Sequence, residues 1–253
     1  MIWYNVRSLS NVSNFINTAP AQVFGFNNTL VGTNGGGTMV QVLDTNVIPP
    51  GVTGSFTSEN IWTVSGTSSA PQNVFAFSQN GGLSYANGLI TDSYTIHILY
   101  KINDYSVGSF QFQKVLDFTN GTDDPGLYSG YNGGAPCLFN CYYDPGIGVH
   151  ALTASSLTNL QYNVISLVRN GATGLLDVYL NGVQKLTGYD DSVKKNYTVS
   201  STSTPIIFFR DDVTSPFPGE AGAGAVRYIS VKKYVSNPTE ISTDYDAIIA
   251  GVI

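Results

Sequence analysis

Charge is scarce in this sequence. Of 253 residues only 11% are Asp, Glu, Lys or Arg, less than half of the roughly 25% usual in a soluble domain. Cys, Met, Trp and His occur twice each, and two cysteines cannot hold a disulfide scaffold together. Basic residues number 11 against 17 acidic ones, a net charge of −6. A nucleic-acid surface needs the reverse, clustered Lys and Arg that neutralise phosphates. No apolar run reaches about 18 residues, so no helix is expected to span a bilayer. Met1 leads straight into Ile2, Trp3 and Tyr4, without the basic stretch and apolar core of a secretory signal, so none is read in this chain. Gly (27), Tyr (16) and Phe (13) are plentiful, within 42% apolar residues. That apolar share folds a chain, and the length suits one large domain or two small ones.

The charge is also uneven. Residues 1–100 hold one basic residue, Arg7, and three acids, Asp44, Glu59 and Asp92, and the other ten Lys and Arg begin at Lys101. Asn, Ser, Thr and Gln keep the first 90 residues polar instead. Either this is a loop-rich β layer of extracellular type, or it faces another protein, because interface cores are depleted in charge. Copies of the same chain or capsid proteins are the partners expected on the second reading.

Apolar residues keep helical spacing only over 239–249, where a short helix is expected. Strand signals recur elsewhere, each bounded by Gly, Pro, Asn or Asp. Tyr94–Tyr100 alternates, with Tyr94, Ile96, Ile98 and Tyr100 on one face and His97 on the other. Phe110-Gln111-Phe112-Gln113 alternates and runs on to Phe118, and Asn163–Val168, Pro205–Phe209 and Val226–Val231 follow. The strongest local signal is Leu175–Leu180, Asn181-Gly182 and Val183–Leu186. Asn-Gly supplies both positive φ angles of a type I′ turn, so its flanks pair as a two-residue hairpin. Many short strands with turn signals at short intervals predict an all-β fold, a two-sheet antiparallel jelly-roll sandwich. One domain over residues 1–253 is expected, with 1–90 supplying outer strands and long loops.

From residue 90 onward, a strand ending Leu167-Val168-Arg169-Asn170-Gly171 neighbours a hairpin reading Val178-Tyr179-Leu180-Asn181-Gly182. Lys114–Tyr128 precedes them, and Phe208-Phe209-Arg210-Asp211-Asp212 with Glu220–Gly224 follows. This order of landmarks resembles the concanavalin A-like lectin/glucanase superfamily in its laminin-G-like branch. The match covers residues 90–235, and before it only Phe26–Leu30 resembles the family's opening strand. This resemblance implies a jelly roll, commonly non-enzymatic, that binds glycans or proteins through loops at one edge or on the concave sheet, often with structural Ca²⁺. Fold alone does not fix function.

Catalytic patterns fail on the residues. Retaining glucanases of this superfamily place acids two residues apart on one strand face. Here Glu59, Glu220 and Glu240 have no acidic neighbour at that spacing, and Asp244 with Asp246 lies in the tail. His97 and His150 accompany no Gly-x-Ser-x-Gly elbow and read as structural or surface imidazoles, so no enzyme is expected. Cys137 and Cys141 permit a small disulfide loop if their Cα atoms approach within about 6 Å. They also permit two legs of a zinc site with His150, which then lacks a fourth ligand.

Two other clusters carry binding chemistry. Asp117, Asn120, Asp123 and Asp124 lie together at a strand end, and Asp211 and Asp212 follow another strand, with Glu220 beyond. Loops at strand ends supply the six to eight oxygens that Ca²⁺ takes, so Asp117, Asn120, Asp123, Asp211 and Asp212 are candidate calcium ligands. Alternatively Asp117 and Asp211 cap turns, while Glu220 neutralises Arg210 or Arg169. Tyr128, Tyr131, Asn132, Tyr142, Tyr143 and Asp144 are candidate ligand contacts: aromatic faces stack on sugar rings, amides and carboxylates bind hydroxyls, and nearby Gly lets backbone approach. Such loops recognise proteins equally well. The expectation is a non-catalytic, glycan-binding recognition or adhesion module, extracellular and on a cell or virion surface. The alternative is a phage capsid decoration or fibre protein using the same sandwich for protein contacts.

Overall fold

The computed structural model describes residues 21–252, except 34–36, 48–49, 87–89, 104–111, 122–125, 133–134, 142–149, 152–156, 159, 194, 200 and 212–220. Its strands are β1 (Ala21–Phe24), β2 (Met39–Leu43), β3 (Ser55–Glu59), β4 (Trp62–Thr63), β5 (Gly66–Thr67), β6 (Gln72–Phe77), β7 (Gly81–Tyr85), β8 (Tyr94–Ile102) and β9 (Phe112–Asp117). They continue with β10 (Gly126–Asn132), β11 (Ala135–Cys141), β12 (His150–Ala151), β13 (Asn163–Asn170), β14 (Leu175–Leu180), β15 (Val183–Asp190), β16 (Ile206–Phe208) and β17 (Gly224–Lys232). One helix, α1 (Pro238–Ala250), follows.

The first sheet has the order β15-β14-β13-β8-β17-β6-β3, with β1 also on β17, and the second β12-β11-β10-β9-β16-β7-β2. Their pairings are antiparallel. The expected all-β sandwich is what the chain forms. The Asn-Gly hairpin closes as its chemistry requires: Leu180 faces Val183, and Asn181 and Gly182 have φ of 51° and 77°. Residues before 90 build one lateral side, where β2 and β3 are both edge strands. The Gly54 N–H donates to Gln41 Oε1 across that side, at 2.9 Å.

Alternation puts Tyr94, Ile96, Ile98 and Tyr100 of β8 into the core between the sheets. Leu83, Tyr85, Val115, Leu127, Ile206 and Phe208 meet them from the second sheet. Phe209 leaves β16 at φ 64°, a left-handed conformation costing about 1–3 kcal/mol. Its ring stacks on Phe77 at 4.2 Å between centroids and lies 5.5 Å from Tyr100. Burying a Phe side chain is worth roughly 1.5–3 kcal/mol, and each aromatic pair about 0.5–1.5 more, so packing offsets the strain, and the turn delivers Arg210 and Asp211 to the strand end beside Asp117.

The other face of the first sheet lies under α1. Asn237 caps the helix by accepting the Thr239 and Glu240 N–H groups at 3.0 Å each, and Glu240 Oε2 accepts the Asn237 N–H at 2.8 Å. Ile248 and Val252 then pack on Leu99, Tyr162, Val164 and Ala225, and Ile241 on Val168 and Tyr179.

Candidate functional site

The strand ends of the second sheet gather Asp117, Asp211 and Tyr128. Lys114 and Tyr128 are cross-strand partners on β9 and β10, which puts their side chains on one face. The Lys114 ammonium, fully buried, lies 3.1 Å from Asp117 Oδ2 and 3.5 Å from Asp211 Oδ1. It also sits 5.1 Å from the centre of the Tyr128 ring, whose hydroxyl donates to Asp211 at 3.3 Å. Asp117 Oδ1 accepts the Thr119 and Gly121 N–H groups, both at 2.9 Å. It thereby caps the turn in which Asn120 and Gly121 hold φ of 60° and 66°.

This geometry revises three expectations. Of the carboxylates offered to calcium, Asp117 and Asp211 share the Lys114 ammonium, and one oxygen of Asp117 is spent on backbone donors, so these two are already engaged in structure. Among the described residues no group of three or more His, Cys, Asp or Glu could hold a metal ion. Asn120 is exposed on the turn, while Asp123 and Asp212 lie outside the described residues. Tyr128 is fully buried and presents no stacking face to a sugar. Cys137 and Cys141 both belong to β11, opposite Gly130 and Gly126 of β10. Four residues along one strand span roughly 13 Å, beyond the roughly 7 Å limit for a disulfide. The backbone of Tyr131 and Asn132 ends β10, and Tyr142, Tyr143 and Asp144 lie outside the described residues. Arg169 takes Asp191 as its partner; the expected alternative, Glu220, also lies outside the described residues.

A second cluster went unseen in the sequence because its members come from four elements. His97 Nδ1 is 2.8 Å from Ser166 Oγ, its neighbour across β8 and β13. Its Nε2 is 3.1 Å from Asp244 Oδ2 on α1, and the Lys232 ammonium pairs with the same carboxylate. A Ser, His and Asp in line suggest nucleophilic catalysis. Ser166 and His97 are sealed beneath α1, however, and no substrate carbonyl reaches them. Burial outweighs the pull of Asp244 and lowers the His97 pKa. Burial works to raise the Asp244 pKa, but His97 and Lys232 outweigh it and hold the carboxyl below its ordinary value. The cluster clasps α1 to the sheet.

The third arrangement is a cleft of about 190 Å³ beside the β13–β14 turn. Asp92, Arg169, Thr173, Ser192, Lys195 and Thr198 line it. Arg169, at 2% exposure, donates Nε to Asp191 Oδ2 at 2.8 Å and Nη1 to the Asp92 carbonyl at 2.7 Å. The Asp191 carboxylate in turn accepts the Asn196 and Tyr197 N–H groups at 2.7 and 3.2 Å, which wraps the 191–198 loop around it. Burial nevertheless raises its pKa against these partners. Gly174, at φ 73°, leaves no room for a Cβ, which would stand 2.5 Å from Ser192 Cα. The walls are therefore fixed. Lys195 is held at φ 58°, and among the described residues neither it nor Asp92 has an ion-pair partner. Only the neighbouring Leu-Val-Arg-Asn-Gly motif marked this region in the sequence; nothing local linked Asp92 to Lys195.

No protein-family model matches the sequence, and no curated protein matches it. In fold the chain is similar to domain 4 of an extracellular GH43 arabinanase from Geobacillus stearothermophilus, solved with arabinotriose. The TM-score is 0.59 at 14% identity, covering 89% of this chain and 98% of that one. It is also similar to the binding domain of botulinum neurotoxin DC in complex with rat synaptotagmin II, with TM-score 0.55 at 11% identity over 92% of this chain and 52% of that one. A botulinum neurotoxin type C structure, described as dependent on two ganglioside molecules for cell entry, gives 0.51 at 12% identity over 95% and 53%. The chain thus spans nearly all of the arabinanase domain and about half of the toxin chains. At such identities the likeness is one of fold, a β-sandwich.

Proposed function

We propose that the chain is a non-catalytic recognition module, directed at glycans and displayed outside the cell, of the concanavalin A-like, laminin-G-like kind. One observation carries the reading: every buried acid among the described residues is committed to structure. Asp117 and Asp211 answer to Lys114, Asp191 to Arg169, and Asp44 accepts the Asn46 N–H at 2.9 Å. Glycosidases need two carboxylates free to face a sugar, and these four are not. The fold likeness to a domain solved with arabinotriose and to toxin binding domains supports the glycan direction. A rigid sandwich that holds loops at its ends is a frame for binding. Tyr131 and Asn132, at the end of β10, with Tyr142, Tyr143 and Asp144, are the contacts on this reading.

A glycan array tests the proposal, followed by chromatography of each bound glycan after long incubation. Binding with intact glycans is expected; binding to no glycan, or cleavage of a bound one, overturns it. Tyr131→Ala and Tyr143→Ala then test the loop contacts. A second reading, assembly of copies as in a virion, draws on the open lateral side. There β2 and β3 end their sheets among the described residues, and Val40 and Val52 are 58% and 59% exposed. Paired strand edges are a common route to association, and solution mass decides it: a monomer at high concentration ends this reading.

A further inference from the structure

The cleft beside the β13–β14 turn has chemistry that no structural role absorbs. Its deepest side chain, Arg169, is fully engaged with Asp191 and the Asp92 carbonyl. The two charges at its rim are not. Asp92 and Lys195 share the cleft with no ion-pair partner among the described residues, and Asp92 Oδ1 accepts only the neighbouring Thr91 hydroxyl, at 3.3 Å, in the described hydrogen bonds. An acid and an ammonium that face one space unpaired offer an acceptor and a donor to whatever enters between them. Thr173, Ser192 and Thr198 add hydroxyls around the rim.

We propose that this cleft binds one neutral saccharide unit, with Asp92 accepting from its hydroxyls and Lys195 donating to them. The inference rests on the glycan reading above and gives it a second site, apart from the Tyr131 and Tyr143 loops. Charge decides the class. Arg169 is cancelled by Asp191 and Lys195 by Asp92, so the cleft attracts neither a strong anion nor a cation. Size decides the extent. At about 190 Å³ it falls below the roughly 300–1,000 Å³ of pockets that bury a drug-sized ligand, and one sugar ring is what it takes. Pre-organisation favours binding, because the Asp191-centred loop and Gly174 already fix the walls.

The test is ligand-observed saturation-transfer NMR with arabinose, galactose and glucuronic acid, on the intact chain and on Asp92→Asn and Lys195→Met. Both cleft side chains are exposed, so the variants fold, and unchanged melting confirms it. Arabinose or galactose should bind, and Asp92→Asn and Lys195→Met should each weaken that binding tenfold or more. Neutral-sugar binding that persists in both cleft variants overturns the cleft and leaves the glycan reading standing. Preference for glucuronic acid overturns the neutral class. If the intact chain binds no sugar here yet scores on the array, only the cleft falls; silence in both removes the glycan reading as well.

Discussion

Two regions of this molecule handle charge in opposite ways. At the ends of β9 and β16, Lys114, Asp117, Asp211 and Tyr128 are buried and answer one another at 3.1–3.5 Å. Beside the β13–β14 turn, Asp92 and Lys195 are exposed and have no ion-pair partner among the described residues. The difference separates scaffold from site. A buried charge must be paired, because leaving it alone costs several kcal/mol, on the order of 3–5. A charge at the rim of a cleft can stay hydrated until a ligand displaces the water. The acids clustered around Asp117 and Asp211 therefore belong to the scaffold, and the candidate site draws its charges from Asp92 and Lys195, far apart in the sequence.

The largest expected effect tests the scaffold half. Lys114→Met strands Asp117 and Asp211 and should lower stability by about 3–5 kcal/mol, read from urea unfolding. Adding Asp211→Asn should recover part of the loss. A loss below about 1 kcal/mol, the scale of an exposed pair, would erase the distinction between the two regions.

The clasp under α1 gives the next effect, through pH. His97 has a lowered pKa in the fold, so the unfolded chain binds its proton more readily. Stability from this group is complete above about pH 6.5 and declines as pH falls below that value toward the folded pKa. The depressed Asp244 carboxyl adds a further loss only below the unfolded carboxylate value, about pH 4. Urea midpoints compared at about pH 7.5 and 5.5 should fall at the lower pH, and His97→Gln should flatten that change. An unchanged midpoint in the natural chain would show that His97 is not held neutral.

Asn237→Ala removes the α1 cap and should cost about 1 kcal/mol by the same unfolding measurement. The smallest structural effect belongs to the cleft: Asp92→Asn and Lys195→Met should leave the unfolding midpoint in place, since both side chains are exposed and neither has an ion-pair partner among the described residues. A clear drop in either would move that residue from site to scaffold.

Much of the fold was legible because local rules agreed with it. Tyr94–Tyr100 alternated with the pleat, Asn181-Gly182 could only turn one way, and the apolar spacing over 239–249 marked α1, though its Asn237 cap came only with the structure. The site was less legible, for physical reasons. Lys114 looked like any polar residue in an alternating strand, and only the arrival of Asp211 from β16 turns it into the cation between two acids. Cys137 and Cys141 looked close in sequence, but extension in β11 carries them apart. Ser166, His97 and Asp244 meet through sheet register and a helix 78 residues downstream of Ser166, and no local motif encodes such a meeting.

Thermal unfolding with and without sugar addresses the central claim most directly. The intact chain and the Asp92→Asn/Lys195→Met double variant are melted alone and with the tightest neutral glycan from the array in excess. At about 100 times Kd, a ligand specific to the folded state adds roughly 2.7 kcal/mol. The two proteins should melt together without sugar, and only the intact chain should melt higher with it. An equal rise in both, or a double variant already destabilised alone, would contradict the division of this molecule into paired scaffold and unpaired site.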